Sequence, residues 1–395
     1  MVVRSDVAHD ARIVREATAL AGAGHAVHVI GKDVPEGYQP PDGVTVQTVG
    51  ARSAFRRPGT RGAALPAHLK MARWLLLPRH NASVWASFLA AAEDAVGGRR
   101  FDVVHVHDFP VLPLGARLAA ATGARLVYDS HELWSGRLRA GRPTPVGDRR
   151  ELALERALGS KADLVLTVSE PIADRMRTWG WRDVRVVRNT FPLGDTPAPA
   201  AVPDPLDAAA GGPADGGPPG AVYAGRLGAG RDLHTVVAAA ALRPDLHWAL
   251  VGPRDEAYWA TLPVPPSIAV RDTLAVDDVD AVLREHGLSL VTLEDTCENH
   301  RVALPNKLFQ AVRAGVPVVA ADLPAMREVV QRHGLGTLYR PGDPASLADA
   351  VARAALDVDR LRACVRAART ELSWERDAQV LLGAYADLEQ RVGAR

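Results

Sequence analysis

One segment in the second half of the chain combines a helix start with a lysine. The segment 303–322, ALPNKLFQAVRAGVPVVAAD, predicts a helix that starts with Pro305 at its first position and ends before Gly315. Free N–H groups near Asn306 and Lys307 would then favour an anion such as phosphate. Only four lysines occur in the chain, and one of them stands here. The alternative is an ordinary helix–strand unit with good start and stop signals.

A second candidate for phosphate binding is VYAGRLGAGRDL at 222–233. Arg226 and Arg231 flank a glycine-rich turn at the end of a predicted strand, which would let two guanidinium groups converge on a diphosphate. Arginine is abundant in this sequence, so the turn alone also fits a purely structural loop. Because both segments fall in one predicted domain, together they favour a phosphate site.

Histidines and carboxylates end two predicted strands in the first half of the chain, VVHVHDF and VYDSHELW. The residues are His105, His107, Asp108, Asp129, His131 and Glu132. Strand alternation places His105 and His107 on one face of the sheet. Such side chains at two strand ends can line one cleft, where they would bind sugar hydroxyls or serve a reacting group. A metal site and histidines with purely structural partners are the alternatives.

The elements that position these residues alternate along the chain. Short β-rich runs and helical patterns follow one another up to about residue 170, and the alternation restarts at about residue 220. Between them lies a stretch rich in Pro, Gly and Ala, which predicts a linker. We therefore expect an α/β protein with two doubly wound, Rossmann-like domains facing across a cleft, with ligands at the carboxyl ends of the strands.

The predicted domain limits follow from this pattern. We expect an N-terminal domain at 1–195, a linker at 196–219, a C-terminal domain at 220–373 and a final helix at 374–395. Only MVVRS precedes the DVAHDAR segment, so the first strand appears clipped. Either this strand is very short or the true start lies upstream, and the second interpretation is favoured.

Composition excludes several classes of protein. The chain has 395 residues, of which 47% are apolar and 24% charged, as in soluble globular domains. The 47 basic and 46 acidic residues nearly cancel, so no overall charge favours nucleic acid as a partner. Cys297 and Cys364 belong to no metal-binding or disulfide pattern. Without a signal peptide or an apolar stretch of about 18 residues, the sequence predicts a cytoplasmic protein.

A basic stretch near the N-terminus predicts a contact with anions. Residues 43–92 contain no Asp or Glu, and LPAHLKMARWLLLP within them reads as a short amphipathic basic helix. Peripheral contact of the 51–80 region with the anionic inner face of the membrane, or with a phosphorylated acceptor, is one interpretation. A flexible basic loop with a partly buried helix is the favoured alternative.

Together these segments resemble a family 4 retaining glycosyltransferase of the GT-B fold. The resemblance runs almost end to end, through segments that follow one another in the family's order. They are DARIVREATALAGAGHAVHVIG, DVVHVHDFPVLPLGARLAAATGARLVYDSHEL, ADLVLTVSEPIADRM, YAGRLGAGRDL, ALPNKLFQAVRAGVPVVAADLPAMREVV and SWERDAQVLLGAYADL. The resemblance implies that the helix from Trp374 onwards crosses back to the first domain.

The resemblance also implies roles for individual residues. His107 would face the transferred sugar, with Asp108 beside it, and Arg226 and Arg231 would hold the donor diphosphate; these four are the candidate catalytic residues. The full set expected to bind the donor is Gly225, Arg226, Arg231, Gly252, Asn306, Lys307 and Gln310. The residues expected on the acceptor side are Asp129, His131 and Glu132.

The implied substrates are a nucleotide-sugar donor, most simply linked to UDP or GDP, and a sugar, lipid-linked or small-molecule acceptor. The implied reaction retains the anomeric configuration and needs no metal or other cofactor. Two positions depart from the family pattern, because Val302 and Gln310 stand where many members carry glutamates. Glutamine still hydrogen-bonds to ribose hydroxyls but without charge, so we expect weaker donor binding. A non-catalytic nucleotide-binding partner protein and, less favoured, a GT-B sugar-nucleotide epimerase therefore remain as alternatives.

Overall fold

The chain forms two α/β units, each built on a parallel sheet. The computed structural model describes residues 1–50, 77–138, 145–194 and 220–393. Residues 51–76 of the basic segment and the predicted linker at 196–219 lie outside the described residues. Among the helices described, none is both long and apolar enough to cross a membrane.

The N-terminal unit centres on one twisted set of parallel strands. These are β1 (Val27–Lys32), β2 (Val44–Val49), β3 (Val103–His107), β4 (Arg125–Ser130), β5 (Leu164–Thr167) and β6 (Val184–Val186). β1 pairs with β2, and β3 to β6 pair in chain order. Val2 bridges both Ile30 of β1 and Val106 of β3, so residues 1–3 fill the central position as a very short strand. The strand order is that of a doubly wound sheet, with the switch of direction between residues 1–3 and β3.

Five helices lie in this unit among the described residues. They are α1 (Ala11–Gly22), α2 (Leu77–Val96), α3 (Leu112–Thr122), α4 (Pro145–Gly159) and α5 (Glu170–Thr178). In α1 the side chain of Asp10 accepts a hydrogen bond from the Ile13 N–H, and Ile13, Ala17 and Leu20 form its buried stripe. Ser169 caps α5 in the same way. The starts of α1 and α5 are thereby fixed beside the sheet that carries the predicted site residues.

The C-terminal unit is a complete Rossmann-like sheet. Its strands are β7 (Gly220–Ala224), β8 (Trp248–Val251), β9 (Ile268–Arg271), β10 (Gly287–Val291), β11 (Val318–Ala321) and β12 (Gly336–Tyr339). All pairings are parallel, and the order is β12-β11-β10-β7-β8-β9. The change of direction between β7 and β10 is where ligands bind in such sheets. Four of the strands, β7, β8, β10 and β11, are buried along their whole length, as expected for parallel strands covered on both faces.

The helices of this unit complete its layers. They are α6 (Leu233–Leu242), α7 (Glu256–Trp259), α8 (Val276–His286), α9 (Glu298–Val302), α10 (Asn306–Ala314), α11 (Pro324–His333), α12 (Pro344–Leu356) and α13 (Val358–Ala368). The last helix, α14 (Trp374–Gly393), returns to the N-terminal unit, where Leu381 and Tyr385 share a core with Ile13, Val29 and Leu164. The predicted crossing of this helix is confirmed.

The two units contact each other near the ends of their strands. Asn299 of α9 accepts a hydrogen bond from the Leu133 N–H at 2.8 Å, and the Ser169 hydroxyl donates to the Val302 carbonyl at 2.7 Å. At the start of α10, Asn306 accepts from the Asn189 amide at 2.9 Å. These contacts bring the start of α10 up to the N-terminal unit.

Candidate active site

The start of α10 places a lysine at the end of the central strand β7. Pro305 stands at the N-cap, one residue earlier than predicted, and supplies no side-chain cap. Gly315 closes the helix in the predicted left-handed conformation, at φ 74°. Lys307 therefore lies in the first turn, where the helix dipole favours an anion.

Lys307 is held there without a neutralising partner. Its Nζ lies 4.8 Å from the centre of the Tyr223 ring. Burial, and then the charge of Arg231, lower the pKa of Lys307 to about 7. Among the described residues, no carboxylate forms an ion pair with Lys307 or Arg231. Two neighbouring cations without a counter-charge form a site for an anionic ligand.

Two glycines make the space around these cations. Gly225 and Gly252 follow β7 and β8, with φ angles of 141° and 133° that favour glycine. A Cβ at Gly225 would lie 2.6 Å from the Lys307 Nζ, and one at Gly252 would lie 2.3 Å from the Gly225 carbonyl oxygen. Both predicted positions thus require glycine for backbone conformation and for close approach.

The structure separates Arg226 from the other predicted cations. Its guanidinium pairs with Asp255 at 2.9 Å, and its side chain is 67% exposed. Asp255 is fixed in turn, because it caps α7 by accepting from the Tyr258 N–H. Of the two predicted arginines, only Arg231 acts electrostatically on Lys307. The role of Arg226 on the diphosphate remains a prediction.

The positions that depart from the family pattern have partners of their own. The Gln310 amide donates to Asp280 of α8 at 3.3 Å, and Arg313 pairs with the same carboxylate at 2.8 Å. Val302 packs against the N-terminal core, with its carbonyl bound by Ser169. The predicted contact of Gln310 with ribose would require it to turn from Asp280 or to serve both.

In the N-terminal unit, Asp129 is the centre of a buried polar network. Arg12 donates to both of its carboxylate oxygens at 2.8 Å, and the rings of His107 and His131 approach it at 3.2 Å. Although burial opposes ionisation, the charges of Arg12 and His131 hold the pKa of Asp129 well below its ordinary range. Asp129 is therefore an anion that positions its neighbours.

His131 carries a proton in this network. Burial disfavours its charge, but Asp108 and Asp129 raise the pKa of His131 to about 9. Its ring nitrogens lie 3.2 Å from Asp129 and 3.5 Å from Asp108, and the backbone N–H of His131 donates to Asp108 at 3.0 Å. Asp108 adopts φ 65°, uncommon for a residue with a Cβ, which is a strain typical of functional sites.

His107 lies deeper than predicted for a residue that faces the sugar. It is 1% exposed and stacks on His105 with ring centres 4.4 Å apart, so the predicted common face of the two histidines is observed. By contrast, the side chains of Asp108, His131 and Glu132 are 30, 21 and 33% exposed, respectively. The geometry therefore places these three, rather than His107, nearest to solvent.

One group could in principle hold a metal. Ligand atoms of Glu16, His105, His107 and Asp129 lie within 4.8 Å of one another. Arg12, however, lies 2.9 Å from Glu16 and 2.8 Å from Asp129, and already supplies the positive charge that a metal would bring. Sequence reasoning missed Arg12 and Glu16, although two charged residues beside the buried stripe of α1 were a usable signal.

Both units match known protein families. The model described as "Glycosyl transferase 4-like domain" matches residues 9–190, and the one described as "Glycosyl transferases group 1" matches residues 218–357. Glycogen synthase from Mycobacterium tuberculosis is 26% identical over 387 residues, which cover 94% of this chain and 88% of that protein.

Solved structures share the fold. Sucrose-phosphate synthase from Thermosynechococcus elongatus superposes with a TM-score of 0.72 at 17% identity, covering 99% of both chains. HepE from Anabaena, solved in complex with UDP, superposes with a TM-score of 0.62 at 15% identity, covering 100% of this chain and 99% of that one. With both halves matched in order, the chain belongs to the family 4-like glycosyltransferases of the GT-B fold, and it is a glycosyltransferase.

Proposed function

We propose that this glycosyltransferase takes its sugar from a nucleoside diphosphate sugar, most simply a UDP-sugar, and transfers it with retention of configuration and without a metal. The observation that carries the proposal is the pair of uncompensated cations, Lys307 and Arg231, beside the first turn of α10. A diphosphate provides the negative charge that this pair lacks. The HepE structures with UDP and with UDP-glucose support the choice of nucleotide.

The same cations suit the chemistry of the transfer. As the bond between the anomeric carbon and the diphosphate breaks, negative charge develops on the departing phosphate and positive charge on the sugar ring. Fixed cations and a helix N-terminus stabilise this departing charge, which in other enzymes a metal ion neutralises. The proposed reaction therefore requires no metal-binding carboxylates beside Lys307.

The acceptor binds in the N-terminal unit, across the cleft from the donor. The surface there is formed by Asp108, His131 and Glu132, whose side chains are partly exposed at the ends of β3 and β4. Asp108 and Glu132 accept hydrogen bonds, which matches sugar hydroxyls. Protonated His131, whose two ring nitrogens face Asp129 and Asp108, holds Asp108 in place. Asp129, buried beneath them, positions His131.

A ligand panel tests the donor. UDP, GDP, ADP and TDP and their common sugar conjugates are compared by thermal shift, since a ligand that binds only the folded state stabilises it. We expect a shift from the UDP compounds that persists in EDTA and is lost in the Arg231→Ala/Lys307→Met double variant. No shift from any nucleotide would overturn the donor assignment.

Turnover of the sugar nucleotide separates the proposed activity from its alternatives. Release of nucleotide that depends on added acceptor, with an α-linked product from an α-linked donor by proton NMR, is expected. Inversion of the product would contradict the retaining reaction. Conversion of the sugar nucleotide without acceptor would indicate an epimerase, and binding without any turnover would indicate a non-catalytic partner.

A further inference from the structure

Two arginines in the N-terminal unit lie at the end of its sheet where ligands bind. Arg4 directly follows residues 1–3, the central short strand, and Arg137 lies in the connection between β4 and α4, directly after the short turn Trp134–Gly136. The carboxyl ends of parallel strands meet at one edge, so both residues belong to the same rim. Asp108, which follows β3 between them in the sheet, acts electrostatically on Arg4.

Neighbouring indole rings fix the two guanidinium groups. The Cζ of Arg4 lies 5.1 Å from the centre of the Trp85 ring, and that of Arg137 lies 3.1 Å from the Trp134 ring. The two indole centres are themselves 5.9 Å apart. Stacking on an aromatic face orients the planar fork of an arginine without neutralising its charge. The arginines are thus oriented before any ligand arrives.

Within the described part of the chain, one ion-pair partner, Glu132, serves the two guanidinium groups, and it pairs with Arg137. Arg4 has no ion pair there. Arg137 donates from Nη1 to Glu132 at 2.8 Å and from Nε to the Trp134 carbonyl at 3.3 Å, which leaves its Nη2 without a described partner. Arg4 is an exposed residue, and partial desolvation of its guanidinium, followed by the charge of Arg137, lowers its pKa. Glu132 thus offsets one of the two neighbouring positive charges, and the other is available to an anion.

We propose that Arg4 and Arg137 form a subsite for a phosphate monoester on the acceptor. The inference rests on the proposed function, because it names the acceptor class of the same cleft. Two guanidinium forks held on adjacent indole rings suit the oxygens of a dianionic phosphate. The donor diphosphate has its own cations, Arg231 and Lys307, in the other unit. Glu132 orients Arg137, and the neighbouring Asp108 binds a hydroxyl of the same acceptor.

The test uses glucose 6-phosphate as the probe, with glucose, glucuronate and inorganic phosphate beside it. Each is titrated calorimetrically into the full-length protein, with and without saturating UDP. We expect glucose 6-phosphate to bind at least about tenfold more tightly than glucose, with an affinity that falls as salt rises. Equal affinity for glucose and glucose 6-phosphate would overturn the proposal. Tighter binding of glucuronate than of glucose 6-phosphate would also overturn it, because the subsite would then bind a carboxylate rather than a phosphate.

Variants identify the residues. Arg4→Ala and Arg137→Gln should each lower the affinity for glucose 6-phosphate about tenfold or more. Each should leave the affinity for UDP within twofold of the wild-type value. Arg137→Lys, which keeps the charge but loses the stacked fork, should recover only part of the affinity. Arg99→Ala is the matched control, because Arg99 also stacks on a ring, that of Phe101, but precedes β3 at the opposite edge of the sheet.

The outcomes separate the two proposals. If Arg4→Ala weakens UDP rather than glucose 6-phosphate, the arginines serve the donor and the inference fails. If UDP does not bind the wild-type protein while glucose 6-phosphate binds through Arg4, the donor assignment fails and the phosphate subsite stands. Thermal unfolding of each variant shows whether it is folded. If Arg137→Gln does not fold, the titration of Arg137→Lys still tests the role of Arg137.

Discussion

The ammonium group of Lys307 lies 4.8 Å from the centre of the Tyr223 ring, at the end of the strand that carries Tyr223. The ring face attracts the cation but does not neutralise it. The Tyr223 hydroxyl is turned elsewhere and donates to the Arg226 carbonyl at 2.9 Å. Tyr223 therefore fixes both the position of the lysine and the start of the glycine-rich loop.

Nucleotide binding should depend on pH through Lys307. Its pKa of about 7 lies below the ordinary lysine value of 10.5, and a bound diphosphate favours the charged form and raises that pKa. UDP affinity should therefore fall as pH rises above about 7, with up to one proton taken up on binding. Calorimetry of UDP from pH 7 to 9, in buffers of different ionisation enthalpy, measures the uptake.

Two variants control this prediction. Lys307→Met should abolish the proton uptake and lower the affinity for UDP. Tyr223→Phe keeps the ring and should preserve the uptake. Unchanged uptake in Lys307→Met would assign the titration to another group.

Substitution of Arg231 and of Arg226 should affect UDP affinity to different degrees, although both residues flank the same turn. Arg231→Ala should lower the affinity for UDP about tenfold or more and change the affinity for uridine little, since only the diphosphate needs the cation. Arg226→Ala should change UDP affinity less, because Arg226 is 67% exposed and paired with Asp255. Fluorescence or calorimetric titration of both ligands measures the contrast. Equal loss of UDP and uridine in Arg231→Ala would contradict the phosphate contact.

Gln310→Glu tests the departure from the family pattern. A carboxylate at this position should maintain or tighten UDP affinity, because it accepts hydrogen bonds from ribose hydroxyls more strongly than an amide does. The same change places a negative charge beside Asp280, now 3.3 Å from the Gln310 amide, so folding stability should fall by about 1 kcal/mol at neutral pH. Titration and urea unfolding measure the two effects, with Gln310→Ala as control. A clear loss of UDP affinity in Gln310→Glu would show that this residue does not face ribose.

Local patterns predicted the elements and where the strands end. The histidine and carboxylate residues after β3 and β4, and the glycines after β7 and β8, lie at strand ends because the alternation of strands and helices depends on nearby residues. The partners of these residues were not predictable in this way. Asp255 comes from a different crossover than Arg226, and Arg12 is 117 residues from Asp129. Such pairs are set by how the elements pack, which one sequence does not encode locally.

The ion pair between Arg12 and Asp129 should be the most sensitive point of the N-terminal unit. Asp129→Asn keeps the shape but removes the buried anion that Arg12, which is 2% exposed, shares with protonated His131. Glu16 then remains beside Arg12, and Asp108 beside His131. Loss of one partner of a buried pair costs about 3–5 kcal/mol, so urea unfolding should reveal a loss of this size. Asp245→Asn, which breaks an exposed pair with Arg243, is the control and should change stability little.

The same variant should alter the pH dependence of folding. The folded-state pKa of His131, about 9, lies above the ordinary value of 6.5, so the stabilisation it provides is fully present below about pH 6.5 and is lost as pH rises through 9. In Asp129→Asn the pKa of His131 should fall, because one of the two carboxylates that raise it is gone. The loss of folding stability with rising pH should therefore be smaller and should occur at lower pH. Urea unfolding at intervals from pH 6 to 9.5 measures both curves. Parallel curves for the wild-type protein and Asp129→Asn would mean that Asp129 does not hold the His131 proton, and would remove the positioning role assigned to this carboxylate beneath the acceptor site.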